Sequence, residues 1–406
     1  MTAPTLLHPF APPTRKADGY LSITSGSGAT VTDTAGNTYI DAMASLWYTN
    51  VGYGRTEIAD AVAAQMGQLG GFHTFTSFTN PPADELADRV ANLSPYERPR
   101  VFFCGSGSEA VDSAMKIARI AHAQSGHPER TVIVSRERAY HGVAYGGTSA
   151  SGLPPNRAGF GPFLGDVVSV DPDDLGKMEA VLLERSGEVA AVITEPVQGA
   201  GGVHPPADGY LEGLRQLCDR FGAYLIFDEV ITGFGRLGTW FASQFFGVTP
   251  DLTTFAKAIT SGYQPLGGVV VGDRVVAALE RDPDFVFRHG FTYSGHPAVC
   301  AAGLANLAII EREDLLAGVP AIESAFSARL GALRDEGRLA DVRGVGGMWA
   351  AGLPTGVDET EVFRRMLDAG VIARSLPSTI TFCPPLVITE GQIDQVVDAL
   401  TSAIAS

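Results

Sequence analysis

The chain has 406 residues, 45% of them hydrophobic and 18% charged, which is enough for one large domain with a smaller one beside it. Its formal net charge of −16 argues against a nucleic-acid backbone or an anionic membrane surface as partner, because like charge repels, and turns attention to small molecules. Four cysteines, Cys104, Cys218, Cys300 and Cys383, stand far apart with no C-x-x-C pair; they suggest neither a zinc knuckle nor a disulfide framework, and suit a reducing cytoplasm.

In chain order, "MTAPTLLHPFAPPTRKADGY" lacks the basic start and apolar run of a secretory signal, and no later stretch reaches the roughly 18 apolar residues of a membrane helix, so a soluble protein is expected. "GATVTDTAGNTYIDAM" (28–43) reads as a hairpin turning at Ala35, Gly36 and Asn37, and "TEIADAVAAQMGQL" (56–69) as an amphipathic helix. From residue 100 onward, short apolar runs alternate with helical periods: strands at 100–104, 131–135, 190–194, 223–227, 251–256 and 267–272, separated by patterns such as "SEAVDSAMKIARIAHAQ" and "YLEGLRQLCDRFG". That alternation predicts a mainly parallel sheet covered by helices. The Gly/Pro-rich stretch 147–163 reads as a loop. Residues 306–336 read as helical, 342–353 as strand-like and 388–405 as a final helix. The expected fold is therefore α/β: a large domain, 51–295, and a small α+β domain built from both ends, 1–50 and 296–406.

The first strand runs into "VFFCGSGSEAVDSAMKIAR", in which Gly105, Gly107 and Ala110 satisfy the dinucleotide fingerprint G-x-G-x-x-G/A between strand and helix. On that reading the chain is a dehydrogenase using NADP, with Arg136 on the 2′-phosphate. The other strand ends speak against it. Ligands of an open α/β sheet bind at its carboxyl edge. There the sequence places Tyr140 and His141, Glu195, Asp228 and Lys257. A lysine directly after an apolar strand is desolvated, which favours the neutral amine that forms a Schiff base. Taken alone, Lys257 could snorkel at a sheet edge and Asp228 could be a helix cap. Together, a phosphate cradle, a carboxylate and a buried lysine match the phosphate, the ring nitrogen and the aldehyde of pyridoxal phosphate, whose pyridine needs a carboxylate to keep its nitrogen protonated. The loop after the first strand then offers backbone N–H groups and the Ser108 hydroxyl to the phosphate at a helix N-terminus. Tyr140 can lay its ring on the pyridine. His141 reads as structural rather than catalytic, since Lys257 supplies the base, and Glu195 as an acid that anchors a neighbour.

These motifs, "FFCGSGSEAVDSAMKIAR", "YHG", "ITEPVQGAGG", "LIFDEVITGFGR", "FAKAITSGYQPLGG" and "GFTYSGHP", resemble in kind and order those of the class III, fold-type I aminotransferases. The resemblance implies Lys257 as Schiff-base lysine and proton shuttle, Asp228 as pyridinium partner, and Ser106, Gly107 and Ser108 at the phosphate. Val230 would lie on the ring, with Tyr140, His141 and Glu195 around it, and Thr292 would reach the phosphate of the other subunit of a homodimer. "SLWYTNVGYGR" (45–55) looks like the pocket segment of ω-amino acid:pyruvate and amine:pyruvate transaminases, with Leu46 and Trp47 as an apolar wall. By the same resemblance Phe75, Tyr140 and Ile231 line the substrate pocket, and Arg374 stands at the place of a mobile arginine that clamps a keto-acid carboxylate and swings aside for an amine. The sequence departs from the family in two places: Pro377-Ser378 replaces a Gly-Asp pair, and Cys104-Gly105 replaces Thr-Asn. The implied reaction moves an amino group from a primary amine or ω-amino acid to pyruvate. A 7,8-diaminopelargonate or diamino acid transaminase is the alternative within the family.

Overall fold

A computed structural model describes residues 4–405. Its central sheet has seven strands in the order β4-β10-β9-β8-β7-β5-β6: β4 (Arg100–Cys104), β5 (Val132–Arg136), β6 (Val167–Val170), β7 (Val189–Thr194), β8 (Tyr224–Asp228), β9 (Leu252–Phe255) and β10 (Gly267–Val271). Only β10 runs against its neighbours, pairing antiparallel with both β4 and β9. All the other strands therefore end on one edge, where the residues that follow β7, β8 and β9 come side by side and those after β4 lie across β10 from β9.

β5, β7 and β8 are buried along their whole length, as expected where helices cover both faces of a sheet. Alternation along the strands divides their side chains between two cores. Ile133, Ala191, Ile193 and Ile226 face the helix Gly107–Gln124, which presents Ala110, Ala114, Ala118 and Ala121 and so packs closely. Val134, Val192, Leu225 and Phe227 face Met178 and Leu182 of the helix Leu175–Glu184 and Leu211 and Leu214 of the helix Tyr210–Phe221. The latter helix stops at Gly222, whose φ of +68° is a conformation that favours glycine.

Two smaller sheets flank this one. In the first, β1 (Ile23–Ser27), β2 (Thr30–Asp33) and β3 (Thr38–Asp41) form an antiparallel meander, and β13 (Val371–Ile372) adds to β3 in parallel. The second joins β11 (Asp341–Val345), β12 (Met348–Gly352), β15 (Thr379–Phe382) and β14 (Arg374–Leu376). The expected hairpin turn at 35–37 is present, held by the Asp33 carboxylate on the N–H groups of Ala35 and Asn37.

Sequence reading passed over the edge strand β6 and the helix Pro81–Leu93, although Asn80 followed by two prolines is a helix start; Asn80 Oδ1 accepts from Ala83 N at 3.1 Å. The stretch 147–163 is not all loop, since Tyr145–Ala150 is a short helix. The helical run 306–336 is two helices, Pro297–Arg312 and Leu315–Asp335, broken at Asp314, whose φ is +49°. No helix among the described residues is long and apolar enough to cross a membrane.

Candidate active site

Asp228 ends β8 and sits in register with Thr254 of β9. Its Oδ1 accepts from Thr254 Oγ1 at 3.0 Å and from Val230 N at 3.2 Å, while its Oδ2 lies 2.7 Å from His141 Nδ1. An ionised carboxylate only accepts, so Nδ1 carries the proton and donates. His141 Nε2 is buried with no partner among the described residues. Thr254 was missed in the sequence, although a threonine two positions before the end of a buried strand neighbouring Asp228 was a readable signal.

Lys257 follows β9 after the single residue Ala256 and opens a single 3-10 turn, Lys257–Ile259, with φ of +51°. A non-glycine residue there carries strain that the packing around it must hold. Burial lowers its ammonium from an ordinary 10.5 to about 8, and the carboxylates of Asp228 and then Glu195 pull the other way. Glu195 itself is buried, which raises its carboxyl; Oε1 accepts from Tyr140 N and Oε2 from Gly199 N, each at 2.9 Å. It fixes the backbone on which Tyr140 stands.

The helix Gly107–Gln124 begins on the same edge. Ser106 caps it, accepting from Glu109 N at 3.2 Å, and Glu109 Oε2 reaches back to Gly105 N at 2.6 Å. That second bond corrects the fingerprint reading, because the Gly105 N–H is already occupied by the protein's own carboxylate. Gly107 is needed for space: a Cβ there would stand 2.9 Å from Val230 Cγ1. Ser108 Oγ accepts from Val143 N at 3.0 Å and so ties the turn carrying Tyr140 and His141 to the helix start. Ser106, Gly107, Ser108, Val230, His141, Asp228 and Lys257 thus lie along one strip of the sheet edge.

Beside that strip stands Trp47, only 3% exposed, its ring centroid 5.7 Å from Lys257 Nζ and 4.5 Å from Arg374 Cζ. The ring packs in an apolar cluster with Met43, Val197, Ile231 and Met348, against which Tyr140 is half-buried. Arg374 begins β14, which turns tightly into β15 through Pro377 and Ser378; proline before a residue with φ of +53° suits a two-residue turn, so the departure from Gly-Asp is locally accommodated. Leu46 departs from expectation: it is 51% exposed and outside the apolar cluster, so within one chain Trp47 forms the wall without it.

Phe75 and Thr292 are not brought to Lys257. Both are exposed, and Phe75 lines a separate cavity of about 380 Å³ with Thr74, His289, Gly290 and Ser294. The dehydrogenase reading fails on Arg136, which is 2% exposed and spent internally: its guanidinium donates to the carbonyl oxygens of Pro172 and Glu195 and lies 5.0 Å over the Tyr210 ring. No 2′-phosphate can reach it. Among the described residues no cluster of His, Cys, Asp and Glu is placed to hold a metal ion.

These residues fit pyridoxal phosphate. A cradle that a single Cβ would fill, an acid held by its neighbours beneath it, and a desolvated lysine one strand away are the three anchors that cofactor requires.

Comparison with known proteins agrees. Residues 13–404 match the family model of class III aminotransferases. The chain is 38% identical to a putrescine–pyruvate aminotransferase of Pseudomonas aeruginosa, an alignment covering 92% of this chain and 88% of that protein. Among solved structures, a thermostable (S)-enantioselective ω-transaminase from Thermomicrobium roseum superposes with a TM-score of 0.93 at 37% identity, over 98% of this chain and 96% of that one. An amine transaminase from an uncultivated Pseudomonas species, in its PLP-bound form, does so with a TM-score of 0.94 at 35% identity, over 99% and 98%. The chain belongs to the class III aminotransferases, enzymes that depend on pyridoxal phosphate.

Proposed function

We propose that this enzyme transfers an amino group from a primary amine or an ω-amino acid to pyruvate, with Lys257 and Asp228 as its catalytic pair. The observation that carries the reading is their placement: a lysine lowered by burial to about 8 and a carboxylate fixed by three hydrogen-bond partners, at the ends of adjacent strands. When bound, pyridoxal phosphate supplies an electron sink that lowers the barrier to losing a proton from the amine-bearing carbon.

The protein's residues do the rest. Asp228, held by Thr254, Val230 and His141, would keep a proton on the pyridine nitrogen. Ser106, Gly107 and Ser108 would hold the phosphate at the positive end of the helix. Val230 and Tyr140 would hold the ring, and Glu195 orients Tyr140 through its backbone. Lys257 Nζ, an appreciable fraction of it neutral near pH 8, would accept the proton from the amine-bearing carbon and pass it to the cofactor's C4′ within the same half-reaction, and would carry a proton the opposite way in the second, when the keto acid is aminated. Trp47 and Ile231 form the apolar wall for the amine, and Arg374 pairs with the carboxylate of the keto acid.

The dimer belongs to the same proposal. Phe75 and Thr292 lie on an exposed face with Phe72, Phe78 and Tyr293, an apolar area that suits a second copy of the chain, to whose site Thr292 and Phe75 would contribute. The pairing of β3 with β13 supports a small domain made from 1–50 and 296–406 against a large domain 51–295. The setting we propose is cytoplasmic, in keeping with four buried free cysteines.

A donor screen tests the substrate class. The holoenzyme is mixed with single donors, and loss of the cofactor's visible band is followed without acceptor. Primary amines, diamines or β-alanine should bleach it, and pyruvate should restore it with formation of alanine. Bleaching by S-adenosylmethionine alone would overturn the assignment.

A further inference from the structure

The segment that carries Trp47 is an unlikely one for its sequence. Ala44, Ser45 and Trp47 have φ of +46°, +59° and +61°, yet none is glycine or asparagine. Left-handed backbone at such residues persists only where its surroundings impose it. The indole Nε1 of Trp47 is buried with no hydrogen-bond partner among the described residues, so no polar contact of its own fixes the ring. That leaves apolar packing and the backbone.

One side chain imposes that backbone. Asp41, the last residue of β3 and 2% exposed, turns its carboxylate into the loop that follows. Oδ1 accepts from Met43 N at 2.9 Å, and Oδ2 accepts from Ser45 N at 2.5 Å and from Tyr53 Oη at 2.6 Å. Residues before, inside and after the strained turn are thereby tied to one anion. Asp41 is also level with Ile372 of β13, two residues before Arg374, and Ala42 N donates to the Ile372 carbonyl at 2.9 Å. The strand end that launches Trp47 is therefore hydrogen-bonded to the strand that launches Arg374, and the two side chains meet with the guanidinium over the indole.

We infer that Asp41 is a positioning residue for the transamination pocket: its carboxylate clamps residues 43–45 and so places Trp47 where it serves as both wall for the amine and platform for Arg374. The inference rests on the pocket roles proposed above for Trp47 and Arg374. Its consequence is a specificity effect, falling on KM for both substrates rather than on the proton transfer at Lys257.

The test is Asp41→Asn, which keeps the volume but turns an NH2 group toward backbone donors, compared with Tyr53→Phe, which removes only the third bond. Near-UV circular dichroism of the apo protein, with Trp47→Phe defining the contribution of that ring, reads the clamp without catalysis. Expected for Asp41→Asn is loss of the Trp47 contribution. KM for amine and for pyruvate should rise at least about fivefold while kcat of the holoenzyme stays within about threefold. Tyr53→Phe should move the same way by less. Adding Ser45→Gly, which accepts the left-handed backbone without a clamp, should recover part of both signals in the Asp41→Asn protein. A Trp47 signal that survives Asp41→Asn overturns the clamp whatever the kinetics. A lost signal with both KM values unchanged overturns the specificity role, and leaves the Lys257 chemistry to be judged by its own variant. If Asp41→Asn does not fold, an unaltered Trp47 signal and unaltered KM values in Tyr53→Phe overturn the inference instead.

Discussion

The ionisation of Lys257 is the most direct physical consequence of the site, and it can be measured in the apo protein. With its ammonium at about 8, roughly one lysine in eleven is neutral at pH 7, against about one in three thousand at the ordinary 10.5, a gain of about 300-fold in nucleophile. The perturbation is Asp228→Asn. Burial pushes the lysine down and the Asp228 carboxylate is the largest influence pulling it up, so removing that charge should move the midpoint below 8. The assay is competitive labelling with trace acetic anhydride across pH 6 to 11, read lysine by lysine by mass spectrometry. Exposed Lys177, raised above its usual value by the bond to Asp171, is an internal control whose midpoint should lie above 10.5 in both proteins. A Lys257 midpoint near 10.5, or one that rises in Asp228→Asn, refutes the reasoning.

Other perturbations follow from single contacts. Gly107→Ala places a methyl 2.9 Å from Val230 Cγ1 and should cost about 1–3 kcal/mol by overpacking, seen as faster loss of cofactor on dialysis and a lower Tm. Arg374→Ala should raise KM for pyruvate at least about tenfold, the worth of a charge-assisted pair, while KM for an amine without a carboxylate changes less than about threefold; equal effects on both would contradict its role. Thr254→Val removes a hydrogen bond at 3.0 Å from Asp228 while keeping shape, and should lower kcat several-fold with little change in KM, measured in steady state with saturating amine and pyruvate.

Much of the sheet could be read because parallel strands buried on both faces are nearly continuous apolar runs, and because the residues after them fall on one edge whatever the helices between them do. That is why Asp228 and Lys257 could be paired across 29 positions, and the structure sets them on adjacent strands. β6 escaped notice because it is an edge strand only partly buried, with a serine in its middle. The contact of His141 with Asp228 spans 87 positions and no local pattern announces it. The conformation of Ala44–Trp47 was invisible for a different reason. Left-handed backbone is normally flagged by glycine or asparagine, and here it is imposed on ordinary residues by Asp41. Arg136 illustrates the opposite case, because its sequence position alone suited a 2′-phosphate while its guanidinium is buried against two carbonyls. The separation of Phe75 from Lys257 was equally hidden, since sequence order says nothing of which copy of a chain a residue serves, whereas for Thr292 the family resemblance already implied the other subunit.

The central claim is that Lys257 performs the proton transfer of a transamination in this chain. Replace it with alanine, confirm by equilibrium dialysis that pyridoxal phosphate still binds noncovalently, and measure alanine formed from pyruvate with a saturating primary amine. The account predicts that turnover falls at least about a thousandfold while the cofactor stays bound, because a positioned general base is lost together with the covalent attachment. Alanine formation within tenfold of the unaltered enzyme would contradict it.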